Sequence, residues 1–77
     1  MDAAREATHG DFHAVSLVAT MLRDTLRCGP RFEMMAATHK VSADEICLKL
    51  ARIVCGDPTF VDHWRDVAGY ALKALAA

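Results

Sequence analysis

The sequence is poor in the features that mark several classes of protein. Its three cysteines are an odd number and lie at no C-x-x-C spacing, which argues against a disulfide framework. The longest uncharged stretch, residues 12–22, is far short of the ~18 apolar residues that a membrane-spanning helix requires. The nine basic side chains form no run and the formal net charge is −1, so nonspecific binding to nucleic acid is disfavoured. We therefore expect a cytoplasmic protein with reduced thiols and no membrane partner.

Catalytic signatures are scarce as well. The sequence contains neither a serine nucleophile elbow nor a glycine-rich phosphate loop. These absences exclude hydrolases of the serine-triad type and P-loop proteins.

What the chain does have is a high apolar content for its size. Its 77 residues fit a single domain, residues 1–77, and 53% of them are hydrophobic. A chain of this length buries only about 60% of the surface that its unfolded form exposes. We therefore expect self-association, most simply as a homodimer, because Phe32, Met34 and Met35 have no obvious place in an internal core.

Three glycine-containing breaks divide the chain, at Gly10, at residues 29–30 and at residues 56–58. Asp11 follows the first break and is a good N-cap residue. Apolar residues then recur at intervals of three and four, which predicts a helix that ends at Gly29. These residues are Phe12, Val15, Val18, Leu22 and Leu26. Residues 31–39 are long enough only for a short helix or an irregular connector.

The third helical segment carries a capping box. Ser42 and Glu45 have the spacing at which each side chain satisfies the other's backbone amide, which predicts a helix that starts at Ser42. Gly56 predicts a left-handed stop at its end. The predicted buried face consists of Ile46, Leu50 and Ile53, with Cys47 and Val54 on its flank.

The last helix follows almost immediately. Its apolar stripe is predicted to pack inwards and consists of Val61, Trp64, Ala68, Ala71, Leu72 and Leu75. Because the turn at residues 56–58 is short, the last two helices should form an antiparallel hairpin. No alternating pattern predicts a strand. The expected fold is therefore all-α, a small bundle of three to four helices with a C-terminal antiparallel helix hairpin.

A polar cluster on this hairpin is the main candidate for a site. Lys49 and Arg52 on one helix should face Asp62 and Asp66 on the other, within salt-bridge distance. One interpretation is an ion-pair ladder that fixes the hairpin register. The other is a ligand site, in which paired carboxylates bind Mg²⁺ and the cations hold a phosphate.

The histidines give weaker signals. His9 and His13 are four residues apart, but Gly10 should break any helix between them and no third metal ligand is apparent. His63 has the position of an ordinary surface histidine on an amphipathic helix.

The final helix also contains a candidate packing surface. Gly69 inside a helix is unfavourable by about 1 kcal/mol relative to alanine, which favours close approach of another helix or a ligand at this point. Trp64 and Tyr70 would frame that groove, with Trp64 as a large buried aromatic.

Several of these residues resemble a small domain of unknown function that is widespread in bacteriophages and prophages. The resemblance extends over nearly the whole chain. It is carried by Arg5, T-H-G-D-F at residues 8–12, K-L-A-R-I at 49–53, G-D at 56–57 and D-H-W-R-D-V-A-G-Y-A at 62–71. Residues 31–40 depart from the family pattern, which has a tryptophan and a glutamine-rich stretch there. The resemblance implies a compact helical accessory protein of a phage or prophage, in the cytosol of a bacterial host.

The same helices are distantly similar to the all-α MazG-like nucleotide pyrophosphohydrolases. That similarity implies an alternative site in which Glu45, Asp62 and Asp66 bind Mg²⁺ while Lys49 and Arg52 hold phosphate. The acids are fewer than that family uses, and their spacing differs.

From the sequence we therefore expect a non-enzymatic protein without a cofactor. It would bind a host or defence protein or a nucleotide, as a homodimer. The alternative is a minimal Mg²⁺-dependent pyrophosphohydrolase.

Overall fold

The computed structural model describes residues 3–77, which form an all-α fold. The helices are α1 (Ala3–His9), α2 (Phe12–Arg27), α3 (Ala37–Cys55) and α4 (Val61–Ala76), with a single 3₁₀ turn at Phe32–Met34 before α3. No strand occurs within residues 3–77, and α3 and α4 are joined as a hairpin. The predicted fold class and hairpin are confirmed. None of the helices in residues 3–77 has the length and apolarity needed to cross a membrane.

The break between α1 and α2 follows the sequence prediction. Gly10 has a φ of +86°, a conformation that glycine adopts at little cost. A Cβ atom at Gly10 would lie 2.7 Å from the Cβ of Cys55, so this position also requires glycine for space. Asp11 then caps α2, and its carboxylate accepts a hydrogen bond of 3.1 Å from the backbone amide of Ala14.

The connector between α2 and α3 buries one of the residues expected to lack an internal place. Phe32 is only 7% exposed. The guanidinium of Arg27 stacks 4.7 Å from the centre of its ring, and Lys40 approaches from the other helix at 5.5 Å. Phe32 is therefore part of the fold rather than of a surface for self-association, whereas Met34 is exposed.

The start of α3 corrects the capping-box prediction. The helix begins at Ala37, so Ser42 lies inside it and is buried. Contacts with other parts of the chain stabilise the additional residues before Ser42. His39 Nε2 donates to the carbonyl of Ala74 at 2.8 Å, and Lys40 pairs with Glu33 at 3.3 Å.

Gly56 ends α3, but not in the left-handed conformation that the sequence predicted. Its φ is −115°, and the requirement for glycine is one of space. A Cβ atom here would overlap the carbonyl of Thr8 and would lie 2.7 Å from the backbone nitrogen of Gly10. The next amide, that of Asp57, donates to the carbonyl of Thr8 at 2.9 Å. Gly56 therefore lets α1 dock against the end of α3.

The three long helices form a layer with α3 in the middle. α2 packs on one side of α3 and α4 on the other, while α2 and α4 make few contacts with each other. The extents of the chain, 40 × 24 × 17 Å, fit three helices side by side with α1 on one face. The core lies between α2 and α3 and consists of Val15, Ala19 and Ala51, with Val18, Leu48 and Cys55 around them.

Burial on α3 differs in part from the predicted face. Of the residues predicted to be on or beside the buried face, Cys47 and Ile53 are buried. Ala51 is also fully buried, because α3 has neighbours on two opposite sides. Ile46 and Leu50 are only partly buried. An amphipathic pattern locates one buried face, whereas a central helix in a layer has two.

The apolar stripe of α4 does not pack inwards, and this prediction is wrong. All six of its residues are exposed. The residues of α4 that approach α3 are instead His63, Val67, Tyr70 and Ala74, which repeat at intervals of three and four and are buried or partly buried. α4 therefore has two apolar faces, and only one of them is covered by residues 3–77.

Candidate functional site: a cationic cavity between α1, α3 and α4

A cavity of about 430 Å³ opens where α1 crosses the hairpin of α3 and α4. Four cations, two carboxylates, two histidines and one phenylalanine line it. They are Arg5 and His9 from α1, Lys49 and Arg52 from α3, Phe60 at the N-cap of α4, and Asp62, His63, Arg65 and Asp66 from the first turns of α4. The four residues of the predicted polar cluster are all in this set.

A buried histidine helps to hold α1 over the cavity. His63 is only 2% exposed, in contrast to the surface position that the sequence predicted. Its Nε2 lies 3.3 Å from the carbonyl oxygen of Thr8. Because a carbonyl oxygen only accepts, this contact requires the proton of His63 to be on Nε2. The same carbonyl also accepts from the amide of Asp57, so the end of α1 is tied to both sides of the hairpin turn.

Three aromatic rings pack together at one wall. The ring of His9 meets that of His63 edge-on with 4.7 Å between centroids. Phe60 lies 5.5 Å from His9 and 4.9 Å from His63. These distances are typical of aromatic packing, so the wall combines an apolar surface with two imidazoles.

The environment of His9 favours its neutral form. Loss of solvent is the largest effect that lowers the pKa of His9 below 6.5, followed by the positive charge of Arg5 and the proximity of His63. The backbone of Arg5 opposes this shift. The Nδ1 atom of His9 is buried and makes no hydrogen bond of ordinary geometry with any group in residues 3–77.

The predicted salt bridge across the hairpin is present. Lys49 Nζ lies 3.3 Å from Asp66 Oδ2, and the lysine side chain is only 19% exposed. A second pair, Arg65 with Asp62 at 3.3 Å, lies within α4 and is more exposed. Both carboxylates of the cavity are thus paired with a cation, and neither pair includes Arg52.

Arg52, like His9, has a buried polar atom that lacks a hydrogen-bond partner. Its Nε atom is buried, and no atom within residues 3–77 accepts a hydrogen bond from it. An unpaired buried donor of this kind is unfavourable by about 1–3 kcal/mol, and by more when the group is charged. Arg52 lines a cavity whose lining carries an excess of positive charge, so an anion bound there would meet a guanidinium with an unused donor.

The metal hypothesis required Glu45 beside Asp62 and Asp66. Glu45 does not line the cavity that the two aspartates line. Within residues 3–77, no group of three histidine, cysteine, aspartate or glutamate side chains is placed to hold a metal ion. The structure therefore does not bring the three predicted ligands together.

The proposed packing groove on α4 is not found within the part of the chain that the structure describes. Trp64 is 49% exposed rather than buried, and its Nε1 donates to the carbonyl of Pro58 at 2.8 Å. A Cβ atom at Gly69 would have no neighbour within 4 Å, so the close-approach interpretation of this glycine is wrong for the single chain. Tyr70 is partly buried, with the ammonium of Lys73 4.8 Å from its ring centre.

The contribution of α1 to the site was not predicted from the sequence. Arg5 and His9 are one helical turn apart, which places both on one face of α1. The spacing indicates a shared face on α1, but no feature of the neighbouring sequence indicates that this face covers the hairpin. His13 is exposed on α2, beyond the break at Gly10 that the sequence predicted between it and His9.

Comparison with family models, with curated proteins and with solved structures gave no match to this chain. The resemblances to the phage domain and to MazG-like enzymes therefore stay predictions.

Proposed function

We propose that this chain is a non-enzymatic binding protein that holds a nucleotide, or another small phosphate-bearing molecule, in the cationic cavity. The observation that carries the proposal is the buried, unpartnered Nε of Arg52. Of the partners expected from the sequence, the nucleotide is the one whose chemistry fits this cavity.

The charge balance supports an anionic ligand. The lining has four cationic side chains and two carboxylates, so two positive charges are in excess before the histidines are counted. Two ion pairs account for Lys49, Arg65 and the carboxylates, which leaves Arg5 and Arg52 for a ligand. A guanidinium forms two parallel hydrogen bonds with a phosphate, and such charge-assisted bonds are the stronger class.

The shape and the aromatic wall also suit a nucleotide. A volume of about 430 Å³ is within the range of small-molecule sites, which runs from about 300 to 1,000 Å³. Phe60 and His9 offer an apolar edge beside the cations, and aromatic side chains bind bases by stacking.

Hydrolysis is the less favoured alternative for a specific reason. A magnesium-dependent enzyme needs carboxylates that are free to bind the ion. Here Asp62 and Asp66 are engaged by cations, and Glu45 lies outside the cavity lining. We therefore propose binding rather than catalysis. The resemblance to the phage domain is the basis for proposing an accessory protein of a phage or prophage in a host cytoplasm.

Calorimetric titration with ATP in the presence of EDTA tests the proposal. The wild-type chain should bind, and Arg52→Ala should weaken binding at least about tenfold. Arg52→Lys keeps the charge but lacks the guanidinium, so it should recover only part of the affinity. Arg31→Ala, which removes an exposed arginine outside the cavity lining, is the matched control and should bind as the wild type does.

Three outcomes would contradict the proposal. The first is the absence of binding for both ATP and pyrophosphate. The second is equal weakening of binding by Arg52→Ala and Arg31→Ala. The third is steady release of pyrophosphate from ATP in Mg²⁺ that is lost in Asp66→Asn, which would instead support the pyrophosphohydrolase.

A further inference from the structure

The layer of three helices has two faces of different character. Around an α-helix each residue turns about 100°, so residues two apart point about 200° away from each other. Leu50 and Val54 each lie two positions from Arg52, which lines the cavity. They therefore face the opposite side of the layer from the cavity and α1.

The exposed stripe of α4 belongs to the same side. Trp64 lies two positions after Asp62 and two before Asp66, and both aspartates line the cavity. Trp64 is therefore about 200° from each of them, and Ala68 is equally far from Asp66. We call this side the bare face and define it by the α4 stripe with its two α3 neighbours: Val61, Trp64, Ala68, Ala71, Leu72, Leu75, Leu50 and Val54.

The bare face is strongly apolar and open to solvent. Trp64 is 49% exposed, Val54 68%, Leu72 63% and Leu75 81%. None of the eight residues that define it is charged, and the charged residues of α4 line the cavity or lie on its side of the helix. Soluble monomers rarely leave a continuous apolar surface of this kind uncovered.

We propose that two copies of this chain pair through the bare face, with α4 packed antiparallel against the α4 of the partner about a twofold axis. The outline of the whole layer is 40 Å long and 24 Å wide, which is large enough to contain the ~800 Å² that each partner buries in a standard interface. Each copy then supplies the second layer that the other lacks, which compensates for the small core of a short chain.

The spacing of the stripe suits this pairing. Residues 61, 64, 68, 71 and 75 follow intervals of three and four, the pattern of a coiled-coil seam. In an antiparallel pair the centre of the seam brings Ala68 against the partner's Ala71. Trp64 then meets the partner's Leu75 at each end. The small residues allow close approach in the middle while the large ones close both ends, so one surface is complementary to itself.

The absence of charged residues from the eight that define the bare face favours a second copy of this chain over a nucleic acid or a membrane surface. A nucleic acid would need cations on this face, and a helix bound on a membrane surface carries lysine or arginine beside its apolar stripe. The charges nearest the stripe in α4 are instead mixed in sign, Asp62 and Arg65, and they pair with each other.

Sedimentation equilibrium from 1 to 100 µM tests the proposal. The wild-type chain should reach twice its mass of 8.4 kDa. Leu75→Glu should shift the dissociation constant at least tenfold towards the monomer. The fold of the variant should survive, because Leu75 is already 81% exposed. Met34→Glu is the matched control, since Met34 is 77% exposed and is not among the eight residues that define the bare face; this variant should dimerise as the wild type does.

The fluorescence of the chain's one tryptophan tests the antiparallel register. Along a single helix Trp64 and Leu75 are about 16 Å apart, so Leu75→Glu affects the indole only through the partner. Emission should shift to the blue as the wild type dimerises, and Leu75→Glu should keep the monomer spectrum at the same concentration.

Three results would overturn the proposal. The first is a wild-type monomer at 100 µM, whether or not it binds vesicles of phosphatidylcholine and phosphatidylglycerol; binding to vesicles would identify a lipid surface as the occupant. The second is a dimer that Met34→Glu disrupts and Leu75→Glu does not. The third is a dimer whose tryptophan emission does not change on association. Because Arg52 and Leu75 lie on opposite sides of the layer, failure of the dimer leaves the nucleotide titration unaffected.

Discussion

Replacement of Gly56 by alanine should separate α1 from the rest of the fold. The new Cβ atom would overlap the Thr8 carbonyl and lie 2.7 Å from the nitrogen of Gly10. Both obstacles are backbone atoms that cannot rotate away, so α1 must move. The hydrogen bonds to the Thr8 carbonyl from the amide of Asp57 and from His63 then weaken together.

The magnitude follows from overpacking. Insertion of a methyl group into a tightly packed contact lowers the free energy of unfolding by about 1–3 kcal/mol. For a domain of 60–100 residues, each kcal/mol corresponds to about 4–8 °C in melting temperature.

Gly69→Ala provides the matched control. The same change at Gly69 adds a methyl group that meets no atom of the described residues within 4 Å, while helix propensity improves by up to about 1 kcal/mol. Thermal melts monitored by circular dichroism should therefore move in opposite directions for the two variants. A Gly56→Ala protein that melts at or above the wild-type temperature would refute the docking of α1. A Gly69→Ala protein that melts lower would show that something occupies the space beside Gly69.

Three further changes test the local interactions. Asp11→Ala removes the cap on the amide of Ala14 and should lower the free energy of unfolding by about 1 kcal/mol in urea denaturation; an unchanged midpoint would contradict the cap. Asp44 has a pKa below its ordinary 3.8, chiefly because Arg27 donates to its carboxylate, so the wild type should lose stability as pH falls below 3.8 and Asp44→Asn should lose less. Protonation of His9 is disfavoured in the fold, so wild-type stability should fall as pH drops below 6.5, and His9→Gln should flatten this part of the pH profile.

Signals from residues close together in sequence predicted where helices begin and break better than they predicted what the helices pack against. Asp11 as a cap and Gly10 as a break depend on residues next to each other in sequence, and both are found as predicted. Ser42 shows the limit of such signals, because contacts of the preceding turn with α4 and the connector extend α3 beyond a good capping box.

Periodicity identified an apolar stripe on α4 but not what covers it. The pattern is the same whether the stripe packs on α3 or on a second chain, so the sequence assigned it to the core. The true contact face includes His63 and Ala74, a polar and a small residue that hydrophobic spacing does not select.

About half of the site was predicted from the sequence. The pairing of Lys49 with Asp66 follows from hairpin geometry, because a short turn sets the register of two antiparallel helices. The contribution of Arg5 and His9 depends on how α1 crosses the hairpin. That crossing is set by the space at Gly56 and by one carbonyl at Thr8, which are contacts between residues far apart in sequence.

The most direct test of the nucleotide-binding proposal is the side-chain Nε–H resonance of Arg52 in a ¹H–¹⁵N correlation spectrum, followed during titration with ATP in EDTA. This donor is buried and unpartnered in the free chain, so a bound phosphate should shift its resonance and slow its exchange with water. The change should saturate at one equivalent, while the corresponding resonance of Arg31 stays in place. An Arg52 resonance that does not move at saturating ATP, or that moves no more than that of Arg31, would contradict the proposal that this cavity binds phosphate.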